Sequence, residues 1–341
     1  MENELRRDPV TGNWVVMTRN DTTVDEMVKS WRVEYSLIDE GECPFCEGKE
    51  KETPPEIFAL RKNYSLPDTP DWDVRVVPNK FPIFQIHGAL DSTGIGVYDK
   101  MRGVGAHEIV IETPQHTDRI ESLSLDQIKD VLHVYKERIL DLKRDIRFRY
   151  ILVYKNFGPS AGAVIPHSHS HIIATPITPW RIRVEFIGAK EHYIRRGRCI
   201  FCDIKQQELD SMERVISENN YYLAFAPFAS MYPFQVWIMP KEHNAFFEED
   251  VENLPSLAQI FQEMIGRIAE VLKNTDYIYA IHTGPNMLAK LVRSRWKTIE
   301  EDFHWHIEII PKLRRFTGFE IGAGFHLNPV FPEDAAKYLR F

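Results

Sequence analysis

The chain has no apolar run approaching the ~18 residues that a membrane-spanning helix needs. Its opening residues, MENELRRDPVTG, carry charge and lack the apolar stretch of a secretory leader. Both absences lead to the expectation of a cytoplasmic protein without a membrane partner. Positive charge is also short, with 42 Lys and Arg against 50 Asp and Glu and a net charge of −8. A general polyanion binder leans basic, so broad nucleic-acid binding is disfavoured, although single phosphates can still be held locally. Cysteine is scarce: four in 341 residues, grouped as Cys43/Cys46 and Cys199/Cys202. In a reducing compartment, C-x-x-C spacing points to metal ligation or redox chemistry rather than to disulfides. Hydrophobic residues at 43% and charged residues at 27% are ordinary for a globular protein, which excludes disorder over most of the chain. The length allows two or three domains or one large duplicated unit.

Along the chain, the turn signal Asp8-Pro9-Val10-Thr11-Gly12 precedes a strand-like stretch, Asn13–Met17. Residues 47–71 are charged and Pro-rich and read as an irregular surface segment. Val74–Val77 and Ala106–Ile111 read as strands. Ser124 opens a helix to about Arg144, because Leu123, Ile128, Val131, Leu132, Tyr135 and Ile139 recur at helical spacing. A strand over Tyr150–Lys155, a Gly-bearing loop over Asn156–Gly162 and a second strand over His167–Ala174 follow. Strands at Tyr222–Ala226 and Gln235–Met239 precede a helix over Leu254–Asn274, marked by Leu257, Ile260, Phe261, Met264, Ile265, Ile268 and Leu272. Strands at Tyr277–His282 and His304–Ile310 complete the second round. The polar stretch 284–302 reads as a flexible loop, and the tail ends in a short helix after Pro329–Asp334.

An order of features recurs. The first round runs Cys43-x-x-Cys46, Pro114-x-His116, helix, strand, His167-x-His169-x-His171. The second runs Cys199-x-x-Cys202, Pro240-x-x-His243, helix, strand, His304-x-His306-x-Glu308. The match is one of order and residue type, and it predicts an internal duplication with halves at 1–190 and 191–341. Short connections between most strands predict α+β architecture, with antiparallel sheets and flanking helices.

Strand side chains alternate faces, so His167, His169 and His171 project to one side. Three imidazoles gain little from burial; metal ligation and nucleophilic catalysis are the available tasks, and one strand can host both. Structural zinc takes four Cys or His ligands in a tetrahedron. Either the four Cys form one site or each pair recruits two His from its own half. The duplication favours the second scheme: Cys43, Cys46, His116 and His167, and separately Cys199, Cys202, His243 and His304. Thioredoxin-like redox chemistry is the weaker reading, since neither pair opens a βαβ pattern. A vestigial second pair that binds nothing is the bland one.

These residues resemble the galactose-1-phosphate uridylyltransferase family of the histidine-triad superfamily, over nearly the whole chain. The resemblance rests on Arg7-Asp8-Pro9-Val10-Thr11-Gly12-Asn13-Trp14, Cys43-Pro44-Phe45-Cys46, Val77-Pro78-Asn79-Lys80-Phe81-Pro82 and Glu112-Thr113-Pro114-Gln115-His116. It continues through Pro166-His167-Ser168-His169-Ser170-His171, Gly318-Phe319-Glu320 and Asn328–Asp334. The last stretch and the Ser-spaced His run are most similar to the branch that includes ADP-glucose phosphorylase.

The resemblance implies a duplicated histidine-triad fold and double-displacement nucleotidyl transfer. His169 would attack the α-phosphorus of a nucleotide sugar, release a hexose 1-phosphate and pass the nucleotide to a second sugar phosphate or to phosphate. A backbone carbonyl would hold its other ring nitrogen, with Pro166 helping to aim the run. His116 and His167 would join Cys43 and Cys46 on a structural zinc, and a second zinc, or iron, would occupy the second half. Asn156 would contact the nucleotidyl group; Gly158, Ser160 and Gly162 would let backbone amides approach phosphate; Asn79 and Phe81 would border the nucleoside. Arg315, Phe316, Phe319, Glu320 and His326 fall where the family binds the sugar phosphate, often from the partner subunit of a homodimer.

Four departures matter. His171 stands where the uridylyltransferases carry Gln, and three His at this spacing are the pattern of the superfamily's hydrolases, which leaves hydrolysis open. Val164 replaces a phosphate-contacting Ser. Arg19 is the available substitute for a family arginine. Glu185, His282, His304 and His306 also fit a Glu-plus-three-His metal set; the intact Cys pair favours Cys199, Cys202, His243 and His304 instead, leaving Glu185, His282 and His306 as polar residues. The first reading is uridylyl transfer to galactose 1-phosphate. The second is adenylyl transfer by phosphorolysis of ADP-glucose or diadenosine polyphosphates, and the third is a zinc protein that binds nucleotide without turnover.

Overall fold

Strands from both rounds of the sequence join one continuous antiparallel sheet. The computed structural model describes residues 3–18, 23, 24, 26, 27, 43–61, 63–117, 119–250, 253–273 and 275–340; Arg19 lies outside them. In chain order the strands are β1 (Glu4–Arg7), β2 (Trp14–Met17), β3 (Phe58–Leu60), β4 (Val74–Pro78), β5 (Thr93–Ile95), β6 (Tyr98–Lys100), β7 (Ala106–Ile111), β8 (Tyr150–Phe157) and β9 (His169–Thr175). They continue as β10 (Val215–Glu218), β11 (Tyr222–Phe225), β12 (Val236–Pro240), β13 (Tyr277–His282), β14 (His306–Pro311) and β15 (His326–Asn328). The ten-stranded sheet has the order β10-β11-β12-β14-β13-β8-β9-β7-β4-β3. Outward from the β8–β13 seam the order is the same on both sides: the fourth strand of each round lies innermost, then the fifth, third, second and first. The seam pairs Phe157 with Tyr277 and Val153 with Ile281. A small sheet of β1, β2 and β15 joins the two ends of the chain, with β2 and β15 parallel.

One sheet face is covered by α1 (Leu125–Lys143) and α4 (Leu254–Val271). Ser124 caps α1 by accepting from the Gln127 amide, which satisfies one of the first-turn donors. The apolar stripes of both helices bury against Val110, Ile151, Val153, Ile172, Tyr279, Ile281, Ile307 and Ile309. The other face of the second half is covered by α2 (Trp180–Arg196) and α3 (Ile200–Ser211). The fold is therefore α+β, with antiparallel sheet and flanking helices.

The stretch 284–302 is not a loop throughout. It holds α5 (Lys290–Arg295) and α6 (Ile299–Asp302), followed in the tail by α7 (Gly318–Ala323) and α8 (Pro332–Leu339). Its apolar residues fall at helical spacing between charges: Ala289, Val292, Trp296, Ile299 and Phe303 are buried, the last two aromatic rings edge-on to Phe186. Among the described residues, the segment 47–71 is irregular apart from a 3-10 turn at Glu50–Glu52 and strand β3.

The Asp8–Gly12 turn packs directly on α2. Asp8 accepts from the amides of Val10 and Thr11, and a Cβ on Gly188 would lie 1.7 Å from the Val10 carbonyl oxygen. Gly188→Ala is expected to destabilise the protein by about 1–3 kcal/mol. Gly266→Ala in α4, where a Cβ meets nothing within 4 Å, is expected to stabilise it by about 0.5–1 kcal/mol. Denaturant unfolding of the two variants tests the pair.

Candidate active site

Strand alternation sorts the run 167–171 into two faces. His167, His169 and His171 point one way, and Ser168 and Ser170 point toward the α1/α4 side. There, in a fully buried layer, the Lys155 ammonium donates to Glu112 (2.6 Å), Ser168 Oγ (2.9 Å) and the His169 carbonyl (3.1 Å). Tyr135 donates to Glu112 and lies 2.7 Å from both Ser170 Oγ and the Tyr279 hydroxyl. Burial alone would raise the Glu112 carboxyl; the Lys155 charge and hydrogen bonds from Lys155, Ser168 and Tyr135 outweigh it and hold the group below its ordinary value.

On the histidine face, His169 Nδ1 lies 2.6 Å from the His167 carbonyl oxygen. A carbonyl only accepts, so Nδ1 carries the hydrogen and Nε2 keeps the lone pair. Burial, then the Lys155 charge, pushes the His169 pKa down to about 4, so the ring is neutral near pH 7. Phe45, from between the first two cysteines, stands edge-on to His169 at 5.2 Å.

His171 has a different tautomer, set through a residue that the sequence did not single out. The Ile83 amide lies 3.4 Å from His107 Nδ1 and can only donate, so Nδ1 carries the lone pair. Neutral His107 then bears its hydrogen on Nε2, which donates to His171 Nδ1 at 3.1 Å. His171 therefore presents an Nε2–H. Burial lowers the pKa of His107, and that of His171 to about 3, so both are neutral. Tyr154 stacks on His171 at 4.9 Å. Asn79 accepts from the Phe81 amide and turns its own amide nitrogen over the His107 ring, at 3.3 and 3.1 Å from its two nitrogens. One ring thus offers a lone pair and its neighbour an N–H donor.

The four residues of each expected metal set converge. Ligand atoms of Cys43, Cys46, His116 and His167 all lie within 4.8 Å of one another, as do those of Cys199, Cys202, His243 and His304. Zn–S and Zn–N bonds in a tetrahedron place S and N about 3.5 Å apart. The observed values are 3.4 Å for Cys43–His167, 3.3 Å for Cys46–His116 and 3.7 Å for Cys46–His167. In the second set they are 3.3 Å for Cys202–His243 and 3.6 Å for Cys202–His304. His167 and His243 each give Nε2–H to a backbone carbonyl at 2.8 Å, of Thr113 and Glu300, which frees Nδ1 as ligand. Both sets fit a zinc ion. Glu185, His282 and His306 form a third buried group of potential ligand atoms. In it His282 Nδ1 lies 2.9 Å from Glu185, and His306 Nδ1 faces the His304 carbonyl at 3.2 Å. His304 itself turns to the Cys pair.

Other expected residues sit differently. The loop after β8 spends its amides internally: Ser160 N donates to Asp276 (2.7 Å), Ala161 and Ala163 to Gly158, and Gly162 to Pro159. Gly158 has φ +80 and abuts Asp276, where a Cβ would lie 1.9 Å from the carboxylate. The Ser160 amide is thus taken by Asp276 and the Gly162 amide by the loop itself, while Gly158 abuts the Asp276 carboxylate. Asn156 is half-buried at the end of β8. Arg315, Phe316 and Phe319 are exposed. Buried Glu320 closes the capping box of α7 with Thr317 and pairs with Arg314. His326 lies beside Tyr232 and Phe316 in the second half. Val164 is 78% exposed and contributes no polar atom from its side chain.

Residues 98–176 match the family model described as the N-terminal domain of a domain of unknown function, DUF4931. The chain is 36% identical to ADP-glucose phosphorylase of Arabidopsis thaliana, over 99% of this chain and 92% of that protein. It is 25% identical to galactose-1-phosphate uridylyltransferase of Thermotoga maritima, over 99% and 98%. Among solved structures, an Arabidopsis thaliana ADP-glucose phosphorylase with bound ADP-glucose superposes with a TM-score of 0.81 at 33% identity, covering 99% of both chains.

Two measurements follow from this geometry. Metal analysis is expected to give about two zinc ions per chain, falling to one in Cys199→Ser/Cys202→Ser; an unchanged count would remove the second site. Imidazole ¹⁵N spectra are expected to report His171 as the Nε2–H tautomer, and His107→Ala to convert it to a mixture.

Proposed function

The chain belongs to the galactose-1-phosphate uridylyltransferase family and is a nucleotidyltransferase, and from that premise we propose that it works through a covalent nucleotidyl-His169. His169 Nε2 forms a bond to the α-phosphorus of a nucleotide sugar. The P–O bond to the hexose 1-phosphate breaks, and the leaving oxygen departs with its electron pair. The acceptor oxyanion then attacks the same phosphorus and returns the lone pair to Nε2. The observation that carries this reading is the His169 Nδ1–H bond to the His167 carbonyl. It aims the free lone pair and stays in place as positive charge develops on the ring.

His171 enters as a donor. Its Nε2–H can bond a non-bridging phosphate oxygen, work that an amide N–H of Gln can also do, so replacing the family Gln does not by itself create a base for water. Asn156 is a second candidate donor, and Asn79 and Phe81 border the nucleoside. The zinc set of Cys43, Cys46, His116 and His167 would act structurally, fixing the main chain that offers the His167 carbonyl; iron is the alternative in the second half.

The donor and acceptor pair proposed is UDP-glucose with galactose 1-phosphate. ADP-glucose with phosphate as acceptor is the second reading, favoured by the 36% identity to the Arabidopsis phosphorylase. Arg315, Phe316, Phe319, Glu320 and His326 belong to a segment packed on the second half, by Tyr232 and β2. This placement supports a homodimer in which the segment serves the partner's site. The units 1–190 and 191–341 are proposed as the duplicated halves of a cytoplasmic enzyme.

Intact mass after incubation with UDP-glucose or ADP-glucose, without acceptor, tests the mechanism. One uridylyl group gained is expected; one adenylyl group instead would establish the second reading. His169→Gly is expected to gain neither and to lose transfer by about 10⁴-fold or more. An unmodified protein that accumulates nucleoside monophosphate points to hydrolysis. No adduct and no product would sink the transfer reading in favour of nucleotide binding alone.

A further inference from the structure

Far from His169, three arginines from separate elements line one pocket. Arg149 precedes β8, Arg183 lies in the first turns of α2 and Arg295 ends α5. With Thr178 and Trp296 they border a cavity of about 220 Å³. None of the three guanidinium groups pairs with a carboxylate among the described residues. Arg183 Nε is buried without a hydrogen-bond partner, and Arg295 is held over the Trp296 ring at 5.1 Å. The Lys190 ammonium stands close by, on the Arg295 carbonyl at 3.0 Å.

Such a concentration of cations is unusual in a chain of net charge −8. Elsewhere on this protein the buried arginines are answered: Arg75 by Glu56 and Asp68, Arg138 by Glu108, Arg214 by Glu208 and Glu333. Like charges converging on a concave, partly desolvated space repel unless an anion completes the set. The N-terminal end of α2 adjoins the pocket, since Thr178 and Arg183 both line it, and Pro179 at the N-cap supplies no side-chain acceptor. The helix dipole therefore also favours negative charge there. The planar guanidinium fork matches phosphate oxygens two at a time, and the Thr178 hydroxyl adds a donor.

We propose that this pocket is a second phosphate site, separate from the nucleotidyl-transfer site, that takes a phosphate dianion or a small phosphate monoester. The seven residues from His169 to Thr175 span about 20 Å of extended strand, and the pocket lies beyond the Thr175 end. Orthophosphate or a hexose 1-phosphate bound there cannot touch the nucleophile. The cavity is large enough for a phosphate and a small organic group, not for a nucleotide sugar. The reaction class proposed above consumes or releases such compounds, so the site would sense them; its existence does not depend on that reading.

Thermal unfolding is followed while orthophosphate, or in a second arm glucose 1-phosphate, replaces chloride at constant ionic strength. The native chain is compared with Arg149→Gln/Arg295→Gln. Phosphate held at the His169 site stabilises both proteins equally, so the difference isolates the pocket. The expected result is a saturable rise in Tm for the native chain, with half-saturation at least tenfold higher in the double variant and an unchanged transfer rate. A differential rise in only one arm identifies the preferred compound. Identical curves in both arms would overturn the proposal. Should the double variant fold poorly, Thr178→Glu sets a fixed negative charge in the pocket with the arginine packing intact, and the same tenfold weakening is expected.

Discussion

The Lys155–Glu112 pair holds the working face of the sheet from behind. Glu112 directly follows β7, Lys155 lies in β8, and the ammonium binds the carbonyl of His169 in β9. Three strands thus meet on one fully buried ion pair. Removing one partner of such a pair costs on the order of 3–5 kcal/mol, because the other is left charged and dry. The serines that alternate with the histidines complete the layer, Ser168 on Lys155 and Glu112 and Ser170 on Tyr135. The polar residues that look incidental in the His-Ser-His-Ser-His run fix the strand, and the histidines are thereby left free to face outward.

The two rounds use one plan for different ends. In each, the middle residue of the histidine run gives its Nδ1–H to the preceding histidine's carbonyl: His169 to His167, and His306 to His304. In each, that preceding histidine also faces a cysteine pair. The difference lies in what covers the ring. His169 meets Phe45 and His171, whereas His306 is sealed under Trp237 and Phe201 beside Glu185 and His282. Where α2 and α3 close over the second half, the repeated tether has become core.

Much of this was legible beforehand because it is periodic or spaced. The Leu123-to-Ile139 stripe and the Ser124 cap place α1 within a residue at either end, and two Cys pairs with two His each name the two Cys/His groups that converge. What was hidden depends on register. His107 reaches His171 only because Ile109 pairs with His171 across β7 and β9, putting His107 on the same face two residues away. No local pattern encodes that alignment. Helix α2 leaves little trace in the sequence because its buried stripe, Ile182, Phe186 and Ala189, is thin and interrupted by the polar Glu185. Stretch 284–302 looked like a loop because charges separate its anchors, yet Val292, Trp296 and Ile299 repeat at three to four residues. The expectation for the Gly-bearing loop after β8 rests on its glycines and its place beside the histidine run; Asp276, more than a hundred residues away, takes the Ser160 amide.

The β8–β13 seam has a consequence for how the molecule forms and moves. It is an antiparallel ladder between segments over a hundred residues apart, running through the middle of the sheet. Closing so long a loop is paid in chain entropy before the ladder rewards it, so assembly waits on a late, non-local step. A nascent first half would display β8 as a bare edge, the kind of surface that templates aggregation until its partner arrives. Once closed, the seam leaves no hinge between the halves. Opening and closing around a substrate must therefore fall to the loops at the strand ends, while the shared sheet stays still beneath them.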